Sequence, residues 1–243
     1  MLSRRGIIGL GALLGGALAV SLLSACALAE DATPDYRYRL TVEVETPQGL
    51  RSGSSVIEVR TSVAPDWAIP TPGHVSFRER GEAVAVDLGD GQTLYALLRS
   101  ENDTGWAGRV MFMLAPEPPA DVEDRFLARY GNLLKLTGVI ELPRTWPAQA
   151  HLPERSAYPM LVAFADPADP ASVALVDPDD LAATYGEGTR LKRLTVELTD
   201  DPVTTGIEKR LGWLGKPFER ELTNDDFPEG LPTGDLDRLF LKD

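Results

Sequence analysis

Apolar and polar residues alternate strictly over residues 36–45 (YRYRLTVEVE), and this feature constrains the fold more than any other. A repeat of two residues is typical of a strand with one buried face. The next residues, 46–49 (TPQG), suit a tight turn because Pro favours its second position. Residues 50–60 (LRSGSSVIEVR) then predict the returning strand, with Gly53 as a bulge. The face expected to be buried carries Tyr36, Tyr38, Leu40, Val42 and Val44.

A second hairpin is predicted about twenty residues further on. Residues 82–88 (EAVAVDL) and 92–98 (QTLYALL) flank Asp90-Gly91, a dipeptide favoured in two-residue hairpin turns. We therefore expect residues 36–60 and 82–98 to form two antiparallel hairpins in one sheet.

Helical patterns are short. Residues 121–136 predict a helix, because apolar residues recur on one face at helical spacing. Residues 176–188 predict a second helix, capped by Asp177 and ended by glycine. Residues 204–214 predict a third, whereas residues 105–114 fit either a strand or a short helix.

The remaining patterns complete an α+β fold, mainly antiparallel sheet built from hairpins with a few short packed helices. The continuous apolar run 158–166 (YPMLVAFAD) predicts a central strand buried on both faces. Residues 141–159 carry four prolines and predict a loop. We expect one domain over residues 36–243, with a possible subdivision near 115–145. Another strand is expected at 190–199, with these residues mostly on one side: Leu191, Leu194, Val196 and Leu198.

The first twenty-five residues resemble a bacterial export signal rather than part of the fold. Arg4 and Arg5 precede an uncharged apolar run, and small residues follow at Ser24 and Ala25. The run is just long enough to span a bilayer, but its glycines favour a cleaved signal over a retained membrane helix. The paired arginines fit a twin-arginine signal and an ordinary basic start equally well.

The only cysteine, Cys26, ends the sequence LSAC, which resembles the lipobox of bacterial lipoproteins. This resemblance implies diacylglyceryl attachment to the Cys26 thiol and cleavage before it, leaving residues 26–35 as a tether. A competing signal-peptidase site at residues 27–29 (ALA) would place the cut before Glu30 and discard Cys26. Ala27, directly after the cysteine, favours the outer membrane for an anchored protein.

Composition excludes two classes of partner. The chain carries 24 basic and 37 acidic residues, a formal net charge of −13, and removal of the arginine-bearing leader makes the remainder more acidic still. Nucleic acids and anionic headgroups repel such a chain, so we expect membrane association only through the lipid. A single cysteine also rules out an intramolecular disulfide.

Catalytic motifs are sparse. The two histidines, His74 and His151, belong to no HExxH pattern, and CxxC, Walker and Gly-x-Gly-x-x-Gly patterns do not occur. We therefore expect no metal site and no cofactor. A pairing of His74 with Ser54 is conceivable, but a Gly-x-Ser-x-Gly nucleophile elbow is missing.

Two acidic stretches invite a comparison between metal binding and turn formation. Five aspartates lie within residues 166–180, and three of them precede proline. Aspartate starts turns and caps helices, and the spacing does not match a calcium-binding loop, so turn and cap functions are favoured. Asp200 and Asp201 are likewise expected to fix a turn before Pro202 rather than to act as an acid/base pair.

Most of the remaining chain resembles uncharacterised proteobacterial proteins. The resemblance runs from YRLTVEVETPQGLRSGSS through YPMLVAFADPADPASVALVDPDDLAATYGEGTRLKRLTVELTDDPVTTGIEKRLGWL. The resemblance implies a coherent domain and supplies no activity or site residues. The leading hypothesis is a non-enzymatic envelope lipoprotein, anchored through Cys26, that binds a protein or small molecule in the periplasm. The alternative hypotheses are a soluble periplasmic protein and an exported hydrolase with an unrecognised active site, for which His74 and His151 are candidate members.

Overall fold

Antiparallel pairing joins all the strands in the part of the chain that the structure describes. The computed structural model describes residues 33–64, 74–148, 153–217, 223–231 and 236–242. The expected α+β class with hairpin-built antiparallel sheets is confirmed. The strands are β1 (Tyr36–Thr46), β2 (Gly49–Val63), β3 (Val75–Glu82), β4 (Val84–Gly89), β5 (Gln92–Ala96), β6 (Ile140–Glu141), β7 (Thr145–Trp146), β8 (Arg155–Ser156), β9 (Leu161–Phe164), β10 (Val173–Val176), β11 (Arg190–Leu198) and β12 (Leu241–Lys242).

The helices within these ranges are short, and none is long and apolar enough to cross a membrane. The segment that fitted either a strand or a helix forms α1. The second helix covers only the centre of the predicted 121–136, because the Asp124 side chain accepts the backbone N–H of Leu127 and caps the helix there. The helices are α1 (Trp106–Leu114), α2 (Arg125–Leu133), α3 (Ala182–Tyr185) and α4 (Leu236–Phe240).

The first hairpin is confirmed. β1 pairs with β2 from Tyr36–Val59 to Thr46–Gly49, and the turn falls at the predicted Pro47-Gln48. This hairpin lies in a six-stranded sheet of order β12-β3-β2-β1-β11-β6. Tyr38, Leu40, Val42 and Val44 of β1 are fully buried, as the alternation predicted.

The second hairpin also forms, but the prediction that both hairpins share one sheet is wrong. β4 and β5 turn at Asp90 and Gly91, which both have positive φ, and they belong to a four-stranded sheet of order β10-β9-β5-β4. The chain changes sheets at Ala83, between β3 and β4, where the Ala83 N–H still donates to the Phe240 carbonyl in register with the β3–β12 pairing. Strands that switch sheets at a bend are a common way to make the corner of a two-sheet core.

Gly53 is not a bulge, contrary to prediction. It pairs in regular register with Val42, and its position reflects a close approach between sheets. A Cβ atom built on Gly53 would lie 2.2 Å from the carbonyl oxygen of Ala85 on β4. Only glycine therefore lets the two backbones pass this closely.

β9 is the central strand that the apolar run predicted. Alternate residues of the four-stranded sheet enter two different cores: Leu161 packs against β1, β11 and the helices, and Val162 packs against the C-terminal segment. A strand covered on both faces must be apolar at every position, which explains the unbroken run. The core between the sheets takes residues from both sides of 115–145.

The side-chain order of β11 is explained by a bulge. Leu194 lies opposite Val42 and Leu191 lies opposite Val44, because the pairing register shifts between them. The extra residue lets Leu191 and Leu194 share the inner side despite their odd spacing, as expected for this strand.

The helix predicted at 204–214 is wrong. Only a 3₁₀ turn forms there, at Ile207–Lys209, after Gly206 with φ of 121°. The preceding Thr204 forms two hydrogen bonds with Val56 of β2, donating its N–H to the Val56 carbonyl and accepting the Val56 N–H with Oγ1. Thr204 thus occupies the backbone position that β3 vacates where it bends away, and this prevents the segment from coiling earlier.

Candidate functional site

A groove of about 650 Å³ lies at the end of the four-stranded sheet, where β9 begins and β10 ends. Its size is within the range of ligand pockets. We call it the sheet-end groove. Its lining comes from β9, β10, the β7–β8 region and the loops at 101–102, 177–178 and 229–230. The residues lining it are Glu101, Asn102, Arg144, Thr145, Glu154, Arg155, Ser156, Tyr158, Pro159, Met160, Leu161, Leu175, Val176, Asp177, Pro178, Glu229 and Gly230.

One wall of the groove is a two-stranded ribbon within the segment predicted to be a loop. β7 and β8 pair through Thr145–Ser156 and Trp146–Arg155, and the Trp146 side chain is buried in the core. The ribbon is fixed to α1 because the indole N–H of Trp106 donates to the Ala157 carbonyl at 2.9 Å. This contact fixes the position of the β8 end of the ribbon next to the groove.

Arg144 is fully engaged within this wall. Its guanidinium donates to both carboxylate oxygens of Asp179, at 3.1 and 2.7 Å, and to Ser156 Oγ at 3.2 Å. It also lies over the Tyr158 ring. The hydrogen bond to Asp179 raises the pKa of Arg144 and lowers the pKa of Asp179. The pair neutralises itself, so Arg144 shapes the groove and does not supply a free positive charge.

Tyr158 also lines this wall of the groove, and its phenol is neutral. Burial is the largest cause that raises its pKa, and the Arg144 charge opposes this shift. The hydroxyl therefore keeps its proton at physiological pH and can donate a hydrogen bond.

Both acidic and apolar residues line the groove, and we call its four carboxylates the rim and its apolar residues the floor. Glu101, Glu154, Asp177 and Glu229 line the groove, and none forms an ion pair with another described residue. The floor includes Leu175, whose exposure of 39% is high for a leucine on a strand. Unpaired carboxylates around an apolar floor suit a ligand with positive charge and apolar groups.

Arg155 is the remaining cation of the groove. Its Nη1 atom is buried and has no hydrogen-bond partner among the described residues, and Nη2 lies 4.0 Å from the Met113 sulfur. A buried guanidinium N–H without an acceptor is costly, so Arg155 holds an unsatisfied donor beside the groove.

The aspartates of residues 166–180 are used in turns, as expected. Asp166 accepts the N–H of Ala168, Asp169 that of Ala171, and Asp180 that of Ala183. In the described ranges, no three His, Cys, Asp or Glu side chains converge as a metal site would require.

Asp177 does not cap α3, contrary to prediction. It accepts the N–H of Asp179 at 2.8 Å in a turn, and the helix begins only at Ala182. The predicted end of the helix is confirmed, because Gly186 follows it with φ of 95°. Pro178 and Asp179, which were interpreted as the start of the helix, instead form a turn.

A second, smaller cavity of about 310 Å³ surrounds Glu82. Glu82 is only 6% exposed, and its Oε2 accepts the Ile207 N–H at 2.9 Å at the start of the 3₁₀ turn. Burial raises the pKa of Glu82 more than the N–H groups of Ile207 and Gly206 lower it. Ser54 and Lys209 also line this cavity.

The residues singled out for catalysis do not assemble. His74 is exposed, and its backbone lies beside Ala64 at one end of β2. Ser54 is ten residues away along the same strand, roughly 33 Å at strand spacing, so the suggested His74–Ser54 pair is wrong. Both His151 and Cys26 lie outside the described residues.

The predicted role of Asp200 and Asp201 in a turn fits the structure. Asp201 pairs with Arg39 of β1, and its N–H donates to Thr199 Oγ1 at 3.2 Å. The Asp201 carboxylate is therefore committed to the sheet surface rather than to a shared acid/base site.

Sequence reasoning missed both cavities for different reasons. Arg144 and Tyr158 lie in a Pro-rich segment without periodicity, so no local signal marked them. Glu82 could have been found, because it falls in alternation with Val84 and Val86, which are buried. A charged residue in phase with a buried face is a signal of a partnered or functional carboxylate.

No family model matches this chain, and neither the curated proteins nor the solved structures include a significant match. The groove and its chemistry are therefore the basis for a functional assignment.

Proposed function

We propose that this chain is a lipoprotein of the bacterial envelope that binds a ligand in the sheet-end groove on its periplasm-facing domain. The observation that carries the binding function is the groove itself, about 650 Å³ in volume, with an apolar floor and unpaired carboxylates around it. Arg144 is neutralised by Asp179, which leaves an acidic surface for recognition. Such a site favours binding of a cationic ligand over chemistry on it.

The anchor in this proposal is Cys26. Its support is the order of a basic start, an apolar run and the sequence LSAC, with the only cysteine of the chain at the position that lipid attachment requires. Two acyl chains give stable membrane binding, since each buried CH₂ contributes ~0.8 kcal/mol. The Ala27 that follows favours the outer membrane.

Intact-mass analysis of protein from its native envelope tests the anchor. We expect a chain that begins at Cys26 and carries acyl groups, and Cys26→Ser should abolish labelling with a radioactive fatty acid. A soluble species that begins at Glu30 would contradict the anchor and leave a periplasmic protein.

Photo-crosslinking in intact cells tests the groove. A photoreactive residue at Leu175 should yield a discrete adduct, because Leu175 lies on the groove floor. The matched control is Leu50, another exposed strand leucine (53% exposed) outside the groove lining. Equal yields at both positions, or no adduct at Leu175, would contradict a ligand in the groove.

An exported hydrolase is the second candidate, and the observation that favours it is the buried Glu82 carboxylate beside a polar cavity. Carboxyl groups with raised pKa values are common in active sites. The exposure of His74 argues against a histidine-dependent site there. A panel of p-nitrophenyl esters and glycosides distinguishes the candidates: saturable turnover that is lost in Glu82→Gln and kept in Glu79→Gln would favour the hydrolase.

A further inference from the structure

We propose that the ligand of the sheet-end groove is an extended, positively charged polypeptide segment, which pairs as an added strand with the free edge of β10. This inference rests on the proposed binding function and specifies its partner. β10 is the outermost strand of the four-stranded sheet, so one of its sides has no neighbouring strand among the described residues.

Hydrogen-bond alternation fixes which groups face outward from β10. The Ala165 N–H donates to the Ser172 carbonyl, in register with the β9–β10 pairing. In an antiparallel pair, alternate residues exchange these bonds. Ala174 and Val176 therefore bond to β9, whereas Val173 and Leu175 direct their N–H and C=O groups away from it.

The β9–β5 pairing gives the same result independently. The Leu97 N–H donates to the Met160 carbonyl, so the bonded pairs between β5 and β9 include Tyr95–Val162. The N–H and C=O groups of Val162 therefore bond to β5. Leu175, which lies opposite Val162 on β10, receives no backbone hydrogen bond from β9. No backbone hydrogen bond in the described part of the chain satisfies Leu175 from the outer side.

Apart from its short length of four residues, the β10 edge lacks the usual protections against pairing. Exposed edges normally carry lysine, proline or inward charges that discourage added strands. β10 has the uncharged sequence VALV, with Ala174 and Leu175 exposed. On the six-stranded sheet, by contrast, β11 extends beyond its short partner β6 with Arg190, Lys192 and Arg193. An open apolar edge beside a groove suits β-strand addition by a partner.

Charge selects the partner. The carboxylates of Glu101, Glu154, Asp177 and Glu229 share the groove with Leu175, and Arg155 is the one lining cation not already paired with a described carboxylate. A strand that alternates basic and apolar residues could place apolar side chains near Leu175 and basic ones near this rim. A second copy of this chain would instead bring two acidic rims together.

Fluorescence anisotropy with the acetylated, amidated peptide KVKTKVK tests the inference. We expect saturable binding that weakens with salt, no binding of the matched peptide EVETEVE, and loss of binding when alternate backbone nitrogens of KVKTKVK are methylated. Glu101→Gln and Glu229→Gln should each weaken binding by roughly two- to five-fold, as for exposed charge pairs. Asp90→Asn, at the hairpin tip at the opposite end of the sheet, should have no effect.

The outcomes separate this inference from the proposed function. Equal binding of the methylated peptide would overturn strand addition. Failure of KVKTKVK to bind, while the crosslink at Leu175 persists, would overturn the peptide partner and leave the groove as a site for another ligand. A dimer in sedimentation that Leu175→Glu dissociates would assign the edge to a second copy and also overturn the inference.

Discussion

The backbone of Gly53 on β2 passes directly beside the carbonyl of Ala85 on β4, and this contact joins the two sheets. The strands belong to different sheets, so no ladder of hydrogen bonds sets their separation. The absence of a side chain at Gly53 sets the separation of β2 and β4 instead.

Gly53→Ala should destabilise the domain, because the added Cβ would lie 2.2 Å from the Ala85 oxygen and the backbones would have to separate. The expected loss in the free energy of unfolding is ~1–3 kcal/mol, typical of overpacking. Urea denaturation measures it.

The matched control is Gly131→Ala in α2, where a Cβ would meet no atom within 4 Å. Alanine is the better helix former by about 1 kcal/mol, so this variant should be as stable as the original protein or more stable. If both variants behaved alike, the close approach at Gly53 would not be the cause.

At the scale of single elements, caps decide where helices begin. The Asp124 carboxylate accepts the Leu127 N–H at 2.9 Å at the start of α2, whereas Asp177 only closes a turn. Asp124→Ala should therefore cost ~1 kcal/mol of stability through the lost cap. Asp121→Ala, at an exposed position outside the helix, is the control and should have little effect. A larger loss from Asp177→Ala than from Asp124→Ala in the same denaturation assay would contradict these assignments.

Local patterns predicted the elements that are decided locally. The alternation of β1 and the Asp90-Gly91 turn give their hairpins directly, and the apolar run of β9 indicates burial on both faces. The change of sheets at Ala83 could not be predicted from local patterns, because the backbone partner of Ala83 is Phe240, which is far away in the sequence. The helix expected at 204–214 failed for the same reason, since the Thr204 N–H donates to the Val56 carbonyl and Thr204 Oγ1 accepts the Val56 N–H.

The candidate groove was still less accessible to sequence reasoning. Its walls come from segments far apart in the chain, and Arg144, Tyr158 and Leu175 share no motif. Leu175 looked like an ordinary strand residue. Its exposure follows from the order of strands in the sheet, which no local pattern specifies.

For the whole molecule, two buried carboxylates impose opposite pH dependences on stability. Burial raises the pKa of Glu82 above its ordinary value of 4.5, so the folded state holds that proton more tightly than the unfolded chain. Stability gained from Glu82 therefore increases as pH falls toward 4.5. The Arg37 guanidinium lowers the pKa of Glu58, so the stability from Glu58 is complete above 4.5 and is lost as pH falls through the folded value.

Substitution separates the two effects. Glu82→Gln should flatten the dependence of the free energy of unfolding on pH in the interval above 4.5 where the raised pKa of Glu82 acts, because glutamine cannot titrate. Glu58→Gln should leave that interval unchanged in slope and alter only the loss at more acidic pH. Urea denaturation at a series of pH values measures both, and an unchanged slope in Glu82→Gln would show that the Glu82 carboxylate titrates normally.

The position of β1 between β2 and β11 has a consequence for the order of folding. β2 follows β1 directly in the sequence, but β11 begins only at Arg190. The Arg39–Glu197 contact between β1 and β11 therefore closes a loop of 158 residues. Contacts between residues this far apart in sequence form slowly, because the chain must lose conformational entropy before the contacts stabilise it. When the chain emerges from its N-terminus, the β1–β2 hairpin can form first. The edge of β1 that pairs with β11 then stays unpaired until most of the chain has emerged. During that interval it is the segment most exposed to mispairing, and a holding chaperone would have the most to protect there.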